Sequence, residues 1–90
     1  RNSQGELDVV ALEGDTVVFV EVKTRRSTEH GAPVDAVTPD KQRRLGRAAL
    51  AFLKRRGWLD RRCRFDVIAI VWADDTPRLT HYPHAFEPPG

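Results

Sequence analysis

The fold of this 90-residue chain is decided by residues 5–24, which read GELDVVALEGDTVVFVEVKT. Two runs of alternating polar and apolar residues flank the dipeptide Gly14-Asp15. This pattern is typical of a β-hairpin closed by a two-residue turn. We therefore expect strands over about residues 5–12 and 16–24.

The alternation separates the hairpin into two faces, because successive side chains of a strand point in opposite directions. One row is apolar and consists of Leu7, Val9, Ala11, Val18, Val20 and Val22. The other row carries three carboxylates and an amine and consists of Glu6, Asp8, Val10, Phe19, Glu21 and Lys23. We expect the first face to form an apolar wall and the second to form a charged surface.

A type II′ turn at Gly14-Asp15 would place Asp8 directly opposite Glu21. Opposed residues have Cβ atoms roughly 4.5–5.5 Å apart, and like charges at that distance repel. A fold that brings these two acids together therefore favours a cation between them, and Mg²⁺ binds oxygen ligands of this kind. A charged face that simply meets water explains the same alternation, and both interpretations stay open.

The composition describes one small, soluble globular domain over residues 1–90. Hydrophobic residues make up 40% and charged residues 31% of the chain, which allows one core of modest size. No apolar run approaches the roughly 20 residues of a membrane span, and we expect no signal peptide, because residues 1–8 do not form its apolar segment. The single cysteine, Cys63, cannot form an internal disulfide, so we expect a cytoplasmic protein.

Basic residues concentrate in the second half of the chain, although the net charge is only +2. Between Lys41 and Arg64 there are ten Lys or Arg residues and one acid, Asp60. Such a block suits a polyanionic partner, and nucleic acid is the expected one.

A helix is expected from a cap at Thr38 to about Arg56. Thr38 suits the N-cap, Pro39 suits the first turn, and Gly57 suits the position after the last turn. One stripe of this helix is apolar and comprises Leu45, Ala48, Ala49, Phe52 and Leu53. A second stripe, roughly opposite, is basic and comprises Arg43, Arg47 and Lys54. Gln42 lies at the edge of the apolar stripe, where it either supports a site or is a first-turn residue in contact with water.

The segment between the hairpin and this helix, residues 25–37, lacks periodicity and contains Gly and Pro, so we expect a loop. Its Arg25, Arg26 and His30 either contact a phosphate backbone or extend into solvent. His30 is not expected to bind a metal, because no second His or Cys stands at ligand spacing.

After the helix, residues 65–72 are strongly apolar and predict a central strand buried on both faces. Asp66 interrupts this run; pairing with a nearby arginine is its expected role, and a role at the site is the alternative. A turn at residues 74–77, a short strand at 78–82 and a Pro-rich tail at 83–90 follow. The order strand, strand, helix, strand, strand predicts an α/β fold with a mixed β-sheet flanked by the helix, which forms the crossover.

Five short blocks resemble the YraN family of small bacterial proteins, which are described as predicted endonucleases. They are GELD (5–8), VEVKTRR (20–26), AVTPDKQRR (36–44), RFDV (64–67) and HAF (84–86). Asp8 together with Glu21-Val22-Lys23 resembles the Asp…Glu-x-Lys core of the PD-(D/E)xK nuclease superfamily. The resemblance implies a restriction-endonuclease-like core and an endonuclease that depends on Mg²⁺ or Mn²⁺ and hydrolyses phosphodiester bonds in DNA, with branched and single-stranded DNA both open as substrates.

The resemblance also implies a role for each matching residue. Asp8 and Glu21 would hold the metal, with the Val22 carbonyl as a third ligand. Lys23 would orient the attacking water or stabilise the charge that develops on the phosphate.

Two further matches stand outside this core. Gln42 matches a helix glutamine that supports the site in RecB-like and resolvase-like members, and Glu6 matches the family's first acid. The residues expected to bind nucleic acid are Arg25, Arg26, Arg43, Arg47 and Lys54.

Proteins of this type usually begin with a helix that carries a further acid, followed by a strand, and we expect both to be missing from this chain. Their loss would leave an open sheet edge that invites pairing with a second copy, so a homodimer is one expected arrangement. A non-catalytic nucleic-acid-binding or adaptor module that retains the fold is the alternative to an active endonuclease.

Overall fold

The structure, a computed structural model, describes residues 6–26 and 37–89. Within these ranges the chain forms β1 (Val9–Glu13), β2 (Thr16–Arg26), α1 (Pro39–Arg56), β3 (Cys63–Ala73) and β4 (Thr76–Phe86). The described strands lie in the order β1-β2-β3-β4. β2 and β3 are parallel and connected through α1, whereas β1 and β4 pair antiparallel at the two edges. The expected α/β fold with a mixed sheet is confirmed, and it is consistent with a restriction-endonuclease-like core.

The hairpin has the register that its turn dipeptide predicts. The ladder starts at the residues on either side of Gly14-Asp15 and continues for five pairs. Gly14 has a φ of 59°, whereas Asp15 is not among the described residues with positive φ, as in a type II′ turn. One further step along the same register brings Asp8 opposite Glu21.

The core lies between α1 and one face of the sheet. Phe19 of β2 stacks on Phe65 of β3, with ring centroids 5.2 Å apart. The same ring meets Phe52 of α1 edge-on at 5.9 Å. The residues buried in this cluster are Val17, Phe19, Val37, Leu45, Ala49, Leu53, Phe65 and Val67.

The covered face is not the one that the alternation predicts. α1 packs on the row of β2 that carries Phe19 and Glu21, which we expected to be a charged surface, and that expectation was wrong. The reason is that an aromatic ring buries a large apolar area, so Phe19 decides which face the helix covers. On the opposite row Val18 and Val20 are also buried, whereas Val9 is 46% exposed.

α1 begins and ends as its capping residues predict. The Thr38 hydroxyl oxygen accepts a hydrogen bond from the Lys41 N–H at 3.2 Å, and Gly57 adopts the left-handed conformation with φ of 70°. Buried residues of α1 are Leu45, Ala48, Ala49 and Leu53. No helix within residues 6–26 and 37–89 is long and apolar enough to cross a membrane.

Three strands are longer than the sequence predicts, and one of them is β3, which extends the predicted 65–72 to Cys63–Ala73. β2 continues through Arg25 and Arg26, where we expected a loop, because its parallel ladder with β3 extends that far. β4 continues past Pro83 to Phe86 because it is an edge strand, where a residue without a backbone N–H is tolerated. A register shift in the ladder and the positive φ of His84, 53°, mark a bulge near its end.

Candidate metal centre and nucleic-acid interface

Asp8 and Glu21 meet at the end of the hairpin that lies away from the turn. Glu21 is in β2 and is only 5% exposed, and Asp8 immediately precedes β1. Asp8 Oδ2 accepts a hydrogen bond from the Val22 N–H at 3.0 Å, and the two carboxyl groups hydrogen-bond to each other. The structure thus brings together the opposed pair that the hairpin register predicts.

The environment shifts the pKa of these two carboxyl groups in opposite directions. Burial, followed by the hydrogen bond and the charge of Asp8, raises the pKa of Glu21 to about 7. The hydrogen bond from Glu21 is the largest influence on Asp8 and lowers its pKa; the Val22 N–H lowers it further. Glu21 therefore keeps its proton to a higher pH than an ordinary glutamate, which indicates that the cations around the pair do not fully compensate its negative charge.

Two lysines approach the pair from different elements. Lys23 Nζ of β2 lies 3.7 Å from Glu21 Oε2, as the strand motif predicts. Lys41 Nζ, from the first turn of α1, lies 3.8 Å from the same oxygen and 3.5 Å from Glu6 Oε2. The sequence reasoning did not identify Lys41 as a site residue. The signal was a cation at the positive end of a helix dipole, which is unfavourable unless an acid lies nearby.

Glu6 and Gln42 lie at the periphery of the pair. Glu6 contacts Lys41 and, through Oε1, Arg44 Nη1 at 3.9 Å. The half-buried Gln42 side chain donates from Nε2 to the Val37 carbonyl oxygen at 3.0 Å. Gln42 therefore ties the start of α1 to the segment that precedes it, and this contact helps to hold the first turn, with Lys41, beside Glu21 of β2.

The donor set fits a hard divalent cation. Among the described residues no group of three or more His, Cys, Asp and Glu side chains could hold a metal. Asp8 and Glu21 are the two acids that interact directly at this end of the hairpin, and they would be the side-chain ligands. A strand residue directs its N–H and C=O to the same side, so the Val22 carbonyl points towards Asp8. Mg²⁺ binds one or two carboxylates and keeps several waters, and the buried Glu21 carboxyl with a raised pKa beside the exposed Asp8 carboxylate matches that requirement.

Asp66 is not part of this site. It is paired with Val20 in the β2–β3 ladder, which puts it on the opposite face of the sheet from Glu21. Its carboxylate accepts from Arg64 Nε at 3.0 Å and from the His84 N–H at 3.0 Å, and His81 Nε2 lies 2.7 Å away. The expectation that Asp66 pairs with an arginine is confirmed.

The residues expected to bind nucleic acid divide into two groups. Arg43, Arg47 and Lys54 are exposed along α1, and Arg43 has a weak ion pair with Asp40 at 4.0 Å. Arg25 is half-buried and Arg26 exposed at the end of β2. The remaining part of the predicted loop, residues 27–36 with His30, lies outside the described residues.

Two cavities lie on the helix side of the sheet. The smaller, of about 10 Å³, is bordered by Asp8, Glu21, Leu45 and Phe65, and it is about large enough for one water molecule. The larger, of about 540 Å³, lies on the other flank of α1 and does not include either carboxylate. A metal at the acidic pair would therefore be approached from the surface and not from within an enclosed pocket.

Comparisons with known proteins agree on one family. The model of uncharacterised protein family UPF0102 matches residues 1–70. A UPF0102 protein of Geobacter sulfurreducens is 57% identical over 84 residues, which cover 92% of this chain and 66% of the relative. A UPF0102 protein of Geobacter metallireducens is 51% identical over 83 residues, which cover 92% of this chain and 68% of the relative. A UPF0102 protein of Rhodopirellula baltica is 48% identical over 91 residues, which cover 96% of this chain and 54% of the relative. The chain thus spans between about half and two thirds of the length of these curated relatives.

Proposed function

This chain belongs to uncharacterised protein family UPF0102, the YraN family, and we propose that it is a metal-dependent endonuclease that hydrolyses phosphodiester bonds in DNA. The observation that carries this proposal is the contact between Asp8 and Glu21 on neighbouring strands, in surroundings that raise the pKa of Glu21 to about 7. Two acids in contact, with the ionised form of one of them disfavoured, favour a dication as their ligand.

The metal residues are proposed from the same geometry. Asp8 and Glu21 bind Mg²⁺ or Mn²⁺ through carboxylate oxygens, and the Val22 carbonyl is a third ligand. A bound divalent ion would lower the pKa of a water ligand and neutralise charge on a phosphate oxygen. The hydrogen bond from the Val22 N–H orients Asp8 towards this position before any ligand binds.

Lys23 is the residue that we assign to the reacting phosphate. Its amine lies within 3.7 Å of Glu21, so it can hold the attacking water or stabilise the additional negative charge of the transition state. Gln42 acts indirectly, because its hydrogen bond to Val37 positions the first turn of α1. Glu6 contacts Lys41 at 3.5 Å and thereby orients the second amine of the site.

The nucleic-acid contacts proposed for this function are basic and lie on two elements. Arg43, Arg47 and Lys54 line the exposed side of α1, and Arg25 and Arg26 end the strand that carries Glu21. Contacts of this kind neutralise phosphates and make binding salt-dependent. A cytoplasmic location is part of the same proposal.

A homodimer through a sheet edge completes the proposal. β1 pairs with β2 on one side and lies at the edge of the described sheet on the other. Its Leu12 is exposed, and an unpaired edge strand with an apolar side chain favours pairing with a second copy.

The test is a cleavage assay on labelled single-stranded, branched and linear duplex DNA with Mg²⁺, Mn²⁺ or EDTA. We expect cleavage that requires the metal and falls by about 10² to 10³ in Glu21→Ala and Lys23→Ala, while circular dichroism shows that both variants remain folded. Arg55→Ala, an exposed cation at the end of α1, is the matched control and retains cleavage.

One result would decide for the alternative. Salt-sensitive DNA binding without cleavage in any divalent metal, with the same affinity in Glu21→Ala, would identify a non-catalytic nucleic-acid-binding or adaptor module. The endonuclease proposal would then be wrong.

A further inference from the structure

A groove of about 540 Å³ lies between α1 and the segment that follows β4. Its volume is within the roughly 300–1,000 Å³ that is usual for ligand sites. The apolar part of its lining comprises Ala49, Leu50, Leu53, Phe65, Pro88 and Pro89. Leu50 is 58% exposed, so an accessible apolar side chain borders this groove.

One wall of the groove depends on a glycine. A Cβ atom at Gly46 would lie 2.9 Å from the Pro88 Cβ, which is closer than such atoms approach. Glycine in the interior of a helix costs about 1 kcal/mol relative to alanine. Its presence in the middle of α1 therefore allows the C-terminal segment to lie against the helix and form the second wall.

The charges at the groove favour an anionic ligand. Arg43 and Arg47 are among the lining residues, whereas no Asp or Glu is. The two arginines are one helical turn apart, which is about 6 Å along the axis. Among the described residues Arg47 has no ion-pair partner within 4.0 Å, and Arg43 has only Asp40 at 4.0 Å. A ligand that matches this lining has an apolar, compact body and a negative charge beside it.

We propose that the groove binds one unpaired base of single-stranded DNA, with the adjacent phosphates on Arg43 and Arg47. This inference rests on the nucleic-acid substrate of the proposed function and specifies that the substrate is single-stranded at this position. The base packs against Leu50, Leu53 and Pro88. A base within an intact duplex cannot reach them, because it is stacked and paired.

The chain contains its own reporter of occupancy. Cys63 is the single cysteine, it is exposed, and it lines the groove. Its rate of alkylation can be followed by mass spectrometry in EDTA, so that no cleavage takes place. The ligands are a short thymidine oligonucleotide, an abasic strand with the same number of phosphates, and a duplex of equal length.

We expect the thymidine oligonucleotide, at saturation by fluorescence anisotropy, to slow alkylation of Cys63 by about fivefold or more. The abasic strand and the duplex should bind through their phosphates and leave the rate nearly unchanged. Equal protection by either of them, or no protection by the saturating oligonucleotide, would overturn the proposal.

Two leucine variants make the test specific to the groove. Leu50→Glu places a negative charge at the rim and should remove the protection. Leu59→Glu is the matched control, because Leu59 is 54% exposed and does not line the groove, and protection should persist. Loss of protection in both variants, or in neither, would contradict the assignment.

The outcome is independent of the cleavage assay. Protection of Cys63 without any metal-dependent cleavage would support base binding in the groove and contradict the endonuclease proposal. Cleavage that requires Glu21, without protection of Cys63, would support the endonuclease proposal and contradict base binding in the groove.

Discussion

Glu21 and Asp66 are two buried acids on neighbouring strands of one sheet, and they differ in what surrounds them. Both are almost inaccessible, at 5% and 1% exposed. Asp66 accepts hydrogen bonds from Arg64 and from the His84 N–H, and His81 lies 2.7 Å away. Glu21 has a second carboxyl group as its hydrogen-bond partner, and its nearest amines lie 3.7 and 3.8 Å away.

The pKa values follow this difference. Burial would raise the pKa of Asp66, but hydrogen bonds from Arg64, His81 and the His84 N–H outweigh burial and lower it. At Glu21 burial and the charge of Asp8 outweigh both lysines and raise the pKa to about 7. A buried acid with a full set of donors stabilises the fold, whereas one that lacks them is ready to accept a cation.

The largest expected effect is the loss of the Asp66 carboxylate. Asp66→Asn should lower the free energy of unfolding by about 3 kcal/mol, because it removes the buried carboxylate that accepts from Arg64 and the His84 N–H and puts an amide in its place. Urea denaturation measures the loss. Asp75→Asn, at an exposed turn position, is the control and should change stability little. A loss of unfolding free energy no larger than that of Asp75→Asn would show that the Asp66 network does not hold β3 and β4 together.

The stability lost in Asp66→Asn should depend on pH. Because the pKa of Asp66 is lower in the folded than in the unfolded protein, its carboxylate stabilises the fold above the unfolded value of 3.8 and loses this contribution as the pH falls through the folded pKa. The gap in unfolding free energy between the parent protein and Asp66→Asn should therefore narrow in acid. A gap that is constant between pH 7 and pH 3 would contradict an ionised Asp66.

Ionisation of Glu21 is expected to have the opposite effect on stability. Its folded pKa lies above the unfolded value of 4.5, so ionised Glu21 costs stability increasingly as the pH rises from 4.5 through about 7. Glu21→Gln should raise the free energy of unfolding in EDTA by about 1 kcal/mol at pH 8, and this gain should disappear at pH 4. Glu13→Gln is the control and should show no gain in stability. Glu13 is an exposed acid, and Arg64 stabilises its ionised form. A loss of stability in Glu21→Gln at pH 8 would mean that the lysines compensate Glu21 fully.

The smallest expected effect comes from the second lysine. Lys41→Ala should lower the free energy of unfolding by about 0.5 kcal/mol, because its contacts with Glu6 and Glu21 are long and partly exposed. Lys54→Ala, an exposed lysine on the same helix, is the control. If the two variants are equally stable in thermal denaturation, Lys41 contributes nothing to holding the acidic pair.

The parts of the fold that sequence reasoning predicted are those with local causes. Gly14-Asp15 sets the register of the hairpin, and with it the opposition of Asp8 and Glu21. Thr38 and Gly57 bound α1 because capping depends on residues within one turn. β4 was predicted too short because the tolerance of Pro83 depends on its edge position, which local sequence does not contain.

The candidate site divides in the same way. The sequence by itself determined the hairpin register and hence the pairing of Asp8 with Glu21, because alternation and a two-residue turn leave one register. Only the tertiary structure decided that this pair lies under α1 and that Lys41 reaches it, because the packing of Phe19, Phe52 and Phe65 selects the face that the helix covers. The same packing buries Glu21 and so decides its pKa, since the cost of ionisation depends on which donors reach a group after the chain has folded.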